Sequence, residues 1–186
     1  VTEGDVVREK FKNDEFEYEI FCIKYTKTSG GSGYRAPTDE DIQALNKAKR
    51  RVESDFDLST ILSEERFAGY ADRAKPYGVT QLRDFFSPRQ LIAHYEYLQA
   101  FKEYQQDIID NYDSDTAEAI LCLLTLVSGK LVDRNARLAD WDTSKGYPNP
   151  VFKGNILVFT RVFSDNNPTI GTMDYQSLLD KVIQSY

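Results

Sequence analysis

The sequence predicts a mainly α protein with a small N-terminal β-hairpin (α+β), an irregular helical bundle with no central sheet. Three observations carry this. Apolar residues recur at helical spacing over 87–111 and 115–138; capping residues stand where these stretches begin; and period-two alternation is confined to residues before 33. The implied organisation is a hairpin and flexible loop over 1–33 and a helical domain over 34–186.

The hairpin is expected from "DVVREKF", a "KND" turn and "EFEYEIFCIKYT", with Phe16, Tyr18, Ile20 and Cys22 on one face. "KTSGGSG" follows as a flexible loop; it has neither the Lys-Ser/Thr ending of a phosphate loop nor a G-x-G-x-x-G. "APTDEDIQALNKAKRRVESDF" is a helix capped by Thr38, with acids in its first turn and basic residues near its end. Residues 57–77 read as irregular, with a short helix over 63–71, and "GVTQLRDFF" allows another short helical piece.

The next start is better specified. In "FFSPRQL", Ser87 is the cap, Pro88 suits the first helical position and Gln90 sits where a capping-box side chain folds back; Phe86 and Leu91 form a hydrophobic staple. This helix is expected to reach Asn111. Asp115, with Glu118 three residues on, caps a helix to about Leu138 that is apolar nearly all round between Ala119 and Val127 and so reads as the centre of the core. "DTSKGYPNP" is turn-rich, and "VFKGNILVFTRVF" fits helix or strand equally well. "SDNNPTIG" is a loop, and "MDYQSLLDKVIQSY" closes the chain as a short amphipathic helix.

Composition bounds the function. With 186 residues, 41% hydrophobic and 28% charged, the chain can bury a core of ordinary size. Its net charge of −7, from 23 basic and 30 acidic side chains, repels nucleic acid and anionic membranes as a whole, so any such binding needs a local patch. Charge is uneven: 96–118 holds seven acids against Lys102, whereas 130–161 holds six bases against three acids. Cys22 and Cys122 read as buried small hydrophobes in a reducing, cytoplasmic compartment, with neither disulfide nor metal spacing. The longest apolar run, "AILCLLTLV", is too short to span a bilayer, no signal peptide opens the chain, and the missing initial Met means either that processing removed it or that the chain is a piece cut from a longer protein.

Catalytic chemistry is not visible. His94 is the single imidazole and lies within a helix pattern; the many carboxylates show no distinguishing spacing; no metal motif occurs.

Four stretches, "GYRAPTDEDIQALNKAKRRV", "YGVTQLRDFFSPRQLIAHYEYLQAF", "LCLLTLVSGKLVDRNARLADW" and "VFTRVFSDNNPTIG", are together similar to the central region of large prokaryotic adenine-specific DNA methyltransferases that carry a zinc ribbon. The resemblance rests on Tyr34, Arg35, Pro37, Thr38 and Asp41; on Tyr77, Gly78, Phe86, Pro88, Arg89, Gln90 and Leu91; on Asp133, Asn135 and Trp141; and on Asn167 and Pro168. It covers residues 33–186. The family's Gly-rich motif for S-adenosylmethionine, its (D/N)PPY motif and its zinc-ribbon cysteines are absent, and "NNPT" lacks the second proline and the tyrosine.

The resemblance therefore implies an insert lying between the halves of a catalytic site, inactive alone, holding no cofactor or metal itself, with S-adenosylmethionine bound by the parent enzyme. Its partners would be DNA and the remaining catalytic domain of the same polypeptide. Arg35 and Arg89 would grip phosphate or guanine, Gln90 and Asn135 would pair with adenine, and Arg134 and Lys145 would join them on the basic stretch. Structural roles compete: Gln90 in the capping box, Asn135 at a helix terminus, Arg35 against Asp39 to Asp41. The alternative is a helical protein-interaction module without nucleic-acid binding, docking through its acidic, Tyr-rich 96–118 face.

Overall fold

The computed structural model describes residues 9, 10, 13, 19–56, 81–152 and 162–185. These fall into two units, the described residues of the first ending at Phe56 and those of the second beginning at Gln81. Among the described residues, four α-helices, a hairpin and a second very short sheet make the fold mainly helical.

In the first unit, β1 (Ile23–Thr26) pairs antiparallel with β2 (Ser32–Arg35), Ile23 opposite Arg35 and Thr26 opposite Ser32. The hairpin thus lies later than the sequence suggested, and "KTSGGSG" supplies its turn and the first two residues of its second strand. Gly30 and Gly31 adopt φ of 88° and 78°, and Lys27 closes the reversal by donating its N–H to the Gly31 carbonyl and accepting from the Gly30 N–H, both at 3.0 Å. Only glycine takes such angles freely, which is why the reversal forms at this pair. Glu9 and Lys10 are helical, with the Asn13 N–H bonded to the Glu9 carbonyl at 3.1 Å, which corrects the strand expected through them.

Phe16 and Tyr18 lie outside the described residues. Cys22, expected to be buried, is exposed beside Phe21 because the strand pairing begins after it. Across the ladder Tyr25 faces Gly33, and its ring takes the space a side chain there would need: an added Cβ would meet the ring at 2.6 Å.

Helix α1 (Asp39–Asp55) starts at Thr38 as expected. The Thr38 N–H donates to Asp41 at 2.8 Å, completing a capping box, and Leu45 and Ala48 are its buried residues.

The second unit opens with a 3-10 turn (Leu82–Phe85) in the stretch that allowed a helical piece. Helix α2 (Pro88–Asn111) and α3 (Ser114–Arg134) follow, then the two-residue strands β3 (Trp141–Asp142) and β4 (Tyr147–Pro148), paired antiparallel, and α4 (Tyr175–Gln184). Helix α3 is the central element, packing on both α2 and α4. Val127 and Leu131 of α3, Met173, and Leu178 and Val182 of α4 form one cluster, with Tyr97 and Tyr175 stacked against it at 5.0 Å between ring centroids. Each hydroxyl finds a backbone acceptor at 2.7 Å: Tyr97 on Leu124, Tyr175 on Ala93. Burial pushes the Tyr175 phenol up to about 12.

Two details of α3 differ from expectation. Its cap is Asp113, whose carboxylate accepts from the Thr116 N–H at 3.0 Å; Asp115 lies in the first turn. Its apolar surface is only partly covered, Ala117, Val127 and Leu131 being buried while Cys122 and Leu126 are exposed. Two neighbouring helices cannot cover a helix that is apolar on nearly every side. The expected helix over 63–71 and the ambiguous segment 153–161 lie outside the described residues. Among those described, no helix is long and apolar enough to cross a membrane.

Candidate functional site

The start of α2 is where chemistry-bearing side chains of the second unit meet. Ser87 accepts the Gln90 N–H at 3.2 Å, and its own N–H donates to the Gln90 Oε1 at 2.8 Å, the reciprocal box read from the sequence. The other end of that carboxamide, Nε2, donates at 3.0 Å to the carbonyl of Ser164. Ser164 is in turn fixed by its N–H and Oγ, both bonded to the Ala139 carbonyl. Asp165 receives the Arg89 Nε at 2.9 Å and the Ser87 hydroxyl at 3.1 Å. The Asn166 N–H donates to the Asn135 Oδ1 at 3.0 Å.

His94, one turn beyond Gln90, places Nε2 2.9 Å from the Asn135 carbonyl, and Phe86 meets the His94 ring edge-on at 4.9 Å. A carbonyl only accepts, so His94 carries its hydrogen on Nε2.

Burial sets the electrostatics. It raises the Asp165 carboxyl above its ordinary value, opposed by the Arg89 guanidinium and the Ser87 hydroxyl. It lowers the His94 imidazole, opposed by the bond to Asn135. Gln90 and Asn135 are both 0% exposed, so as folded neither amide reaches solvent to pair with a base. Asn135 fulfils the helix-terminus role, capping α3 with its N–H on the Leu131 carbonyl at 2.8 Å. Its Nδ2 is the one buried side-chain nitrogen or oxygen without a hydrogen-bond partner among the described residues.

The expected cations keep partial exposure but are paired. Arg89, with 34% of its side chain exposed, holds Asp165. Arg134 donates to the Pro148 carbonyl at 2.8 Å, stands 3.8 Å from Asp133 and lies over the Tyr147 ring at 5.9 Å. Lys145 pairs with Asp142 at 3.0 Å in the β3–β4 turn. The Asp142 carboxyl is held well below the usual carboxylate range, chiefly by the Ser144 hydroxyl and then by Lys145. In the first unit Arg35 binds Asp41 with two nitrogens, which lowers that carboxyl strongly.

The structure therefore brings Arg89, Gln90 and Asn135 into one network, and leaves Arg134 next to it along the chain and Lys145 on the adjoining turn. Sequence reasoning does not find Asp165, Ser164 and Asn166 as their partners. The signal for them is the run of short polar residues in "SDNNP", the kind that satisfies helix ends. Among the described residues no group of three His, Cys, Asp or Glu side chains is gathered as a metal site.

Comparison with known protein families, with curated proteins and with solved structures gave no match to this chain.

Proposed function

We propose that this chain is an insert region of a prokaryotic adenine-specific DNA methyltransferase and helps to hold the duplex while the target adenine is turned out. A base cannot be methylated within the stack, so such an enzyme needs backbone contacts on either side of the distortion. In this reading Arg89, Arg134, Lys145 and Arg35 exchange their carboxylate partners for phosphates, while Gln90 and Asn135 are positioning residues beneath Arg89 and Arg134. S-adenosylmethionine and the residues that transfer the methyl group belong to the rest of the parent enzyme, and this chain alone is inactive.

One observation supports the reading most. Part of the residue set that carries the resemblance is gathered in the second unit: Gln90 of one stretch and Asn135 of another are hydrogen-bonded to Ser164 and Asn166 in the loop before Asn167 of a third, across 74 and 31 positions of chain. A motif set that closes on itself behaves as one structural unit.

The test is fluorescence anisotropy of a labelled duplex with the full chain at low and at physiological salt. The expected result is binding that weakens steeply with salt, with non-specific affinity of about 10⁻⁴–10⁻⁶ M at physiological salt. Arg134→Ala with Lys145→Ala should flatten the salt slope by about one unit for each phosphate that is no longer neutralised. No binding at low salt, or a slope unchanged by these substitutions, overturns the proposal.

A further inference from the structure

The exposed side of the α2–α3 hairpin carries a feature that DNA positioning does not use. Ala117, Leu121, Cys122, Thr125 and Leu126 of α3, with Ile109 of α2, line an open groove of about 720 Å³, whose lining also includes Ser114 and Glu118. The α3 positions fall in adjacent pairs, 117/118, 121/122 and 125/126, that recur every four residues and so lie on one face of the helix, as a stripe that receives another helix does. From Ser114 to Leu126 the stripe runs about 18 Å at 1.5 Å per residue, roughly three turns of an occupant. Leu126 is 42% and Ile109 45% exposed, so the groove is unfilled by its own rims.

Charge states which helix would fit. Between Glu103 and Gly129 the sequence has six acids and no basic residue. Asp107, Asp110, Asp113, Asp115 and Glu118 are all exposed, on either side of the α2–α3 connection, and Glu118 is among the groove's lining residues. Two copies of this face would bring acids against acids, which disfavours self-association. We propose that the groove docks an amphipathic helix of a partner protein whose apolar stripe is flanked by lysine or arginine. Leucine-sized side chains would enter between Ile109 and Leu121 to Leu126, and the cations would meet Asp110, Asp115 and Glu118. The inference is independent of the DNA reading.

The experiment uses the full chain and a labelled synthetic helix of about five turns, roughly 18 residues, with Leu on one stripe and Lys elsewhere. A second peptide has the same stripe with Glu replacing Lys. Saturable binding of the Lys helix is expected, at least about tenfold tighter than that of the Glu helix, together with slowed alkylation of Cys122 in a Cys22→Ser background. Leu126→Glu tests the groove itself: it adds negative charge, so mere attraction to an acidic surface would tighten binding, whereas groove docking weakens it at least about tenfold. Circular dichroism verifies the fold of the variant. The proposal is overturned by equal binding of both peptides, by no binding, by binding that Leu126→Glu leaves equal or tighter, or by sedimentation showing a dimer that Leu126→Glu dissolves.

Discussion

A single carboxamide, that of Gln90, joins Ser87 to Ser164: its oxygen accepts the Ser87 N–H at 2.8 Å and its nitrogen donates to the Ser164 carbonyl at 3.0 Å. Gln90→Leu keeps much of the volume and removes both bonds. A buried N–H and a buried C=O are then left bare, at about 1–3 kcal/mol each, so a loss of about 2–6 kcal/mol is expected. Urea unfolding with an unchanged m-value is the measurement. A loss under about 0.5 kcal/mol, the range of ordinary surface substitutions, would show that the bridge does not hold the domain together.

His94 gives the protein a pH dependence of definite sign. Burial holds its pKa below 6.5 in the fold, so in the window beneath 6.5 the unfolded chain binds a proton that the folded one does not. Stability is therefore full above pH 6.5 and declines as pH falls below it, with a slope of up to about 1.4 kcal/mol per pH unit. Unfolding curves between pH 7.5 and 5 should show this slope in the native sequence and lose it in His94→Gln, which retains a donor for the Asn135 carbonyl.

Arg89→Ala should behave in the opposite sense. Asp165 is ionised in the fold only above its raised pKa, and there it leans on Arg89. Without Arg89 the carboxyl stays protonated to still higher pH. The variant should be less stable at pH 7.5 by about 1 kcal/mol, the upper end for a pair that is partly exposed, with the deficit fading as pH falls through the raised pKa of Asp165 and the carboxyl becomes neutral. A deficit independent of pH would mean that Arg89 acts by packing alone.

Both cysteines should react with a thiol reagent in the folded protein, since Cys22 and Cys122 are free and exposed. Titration without denaturant is expected to count both. If either required unfolding, the placement of that strand end or of the α3 groove would be wrong.

Legibility in the sequence follows the range of the interactions. The Ser87 start is readable down to individual hydrogen bonds because cap, proline and Gln90 interact within one turn, and Thr38 with Asp41 likewise. The mainly helical class is readable from periodicity. The hairpin is displaced from its expected position because alternation marks a strand but not its partner, and the deciding feature is the positive φ available to Gly30 and Gly31. The cysteines are exposed against expectation because an apolar residue inside an apolar run is buried only if something packs on it, and α3 has more apolar surface than α2 and α4 cover. The inner roles of Gln90 and Asn135 depend on Ser164 and Asn166, more than thirty positions away, which no local pattern encodes.

The stitch between the first turn of α2 and residues 164–166 also determines where the second unit tolerates trimming. A polypeptide stopped short of Ser164 would strip Gln90, Arg89 and Asn135 of their acceptors and donors at once, unplugging the opening turn of a helix that lies more than seventy positions earlier. Shortened versions should therefore keep the piece from Gln81 through the closing helix intact, and protease nicks ahead of Ser164 should leave two fragments that stay associated instead of one that survives alone.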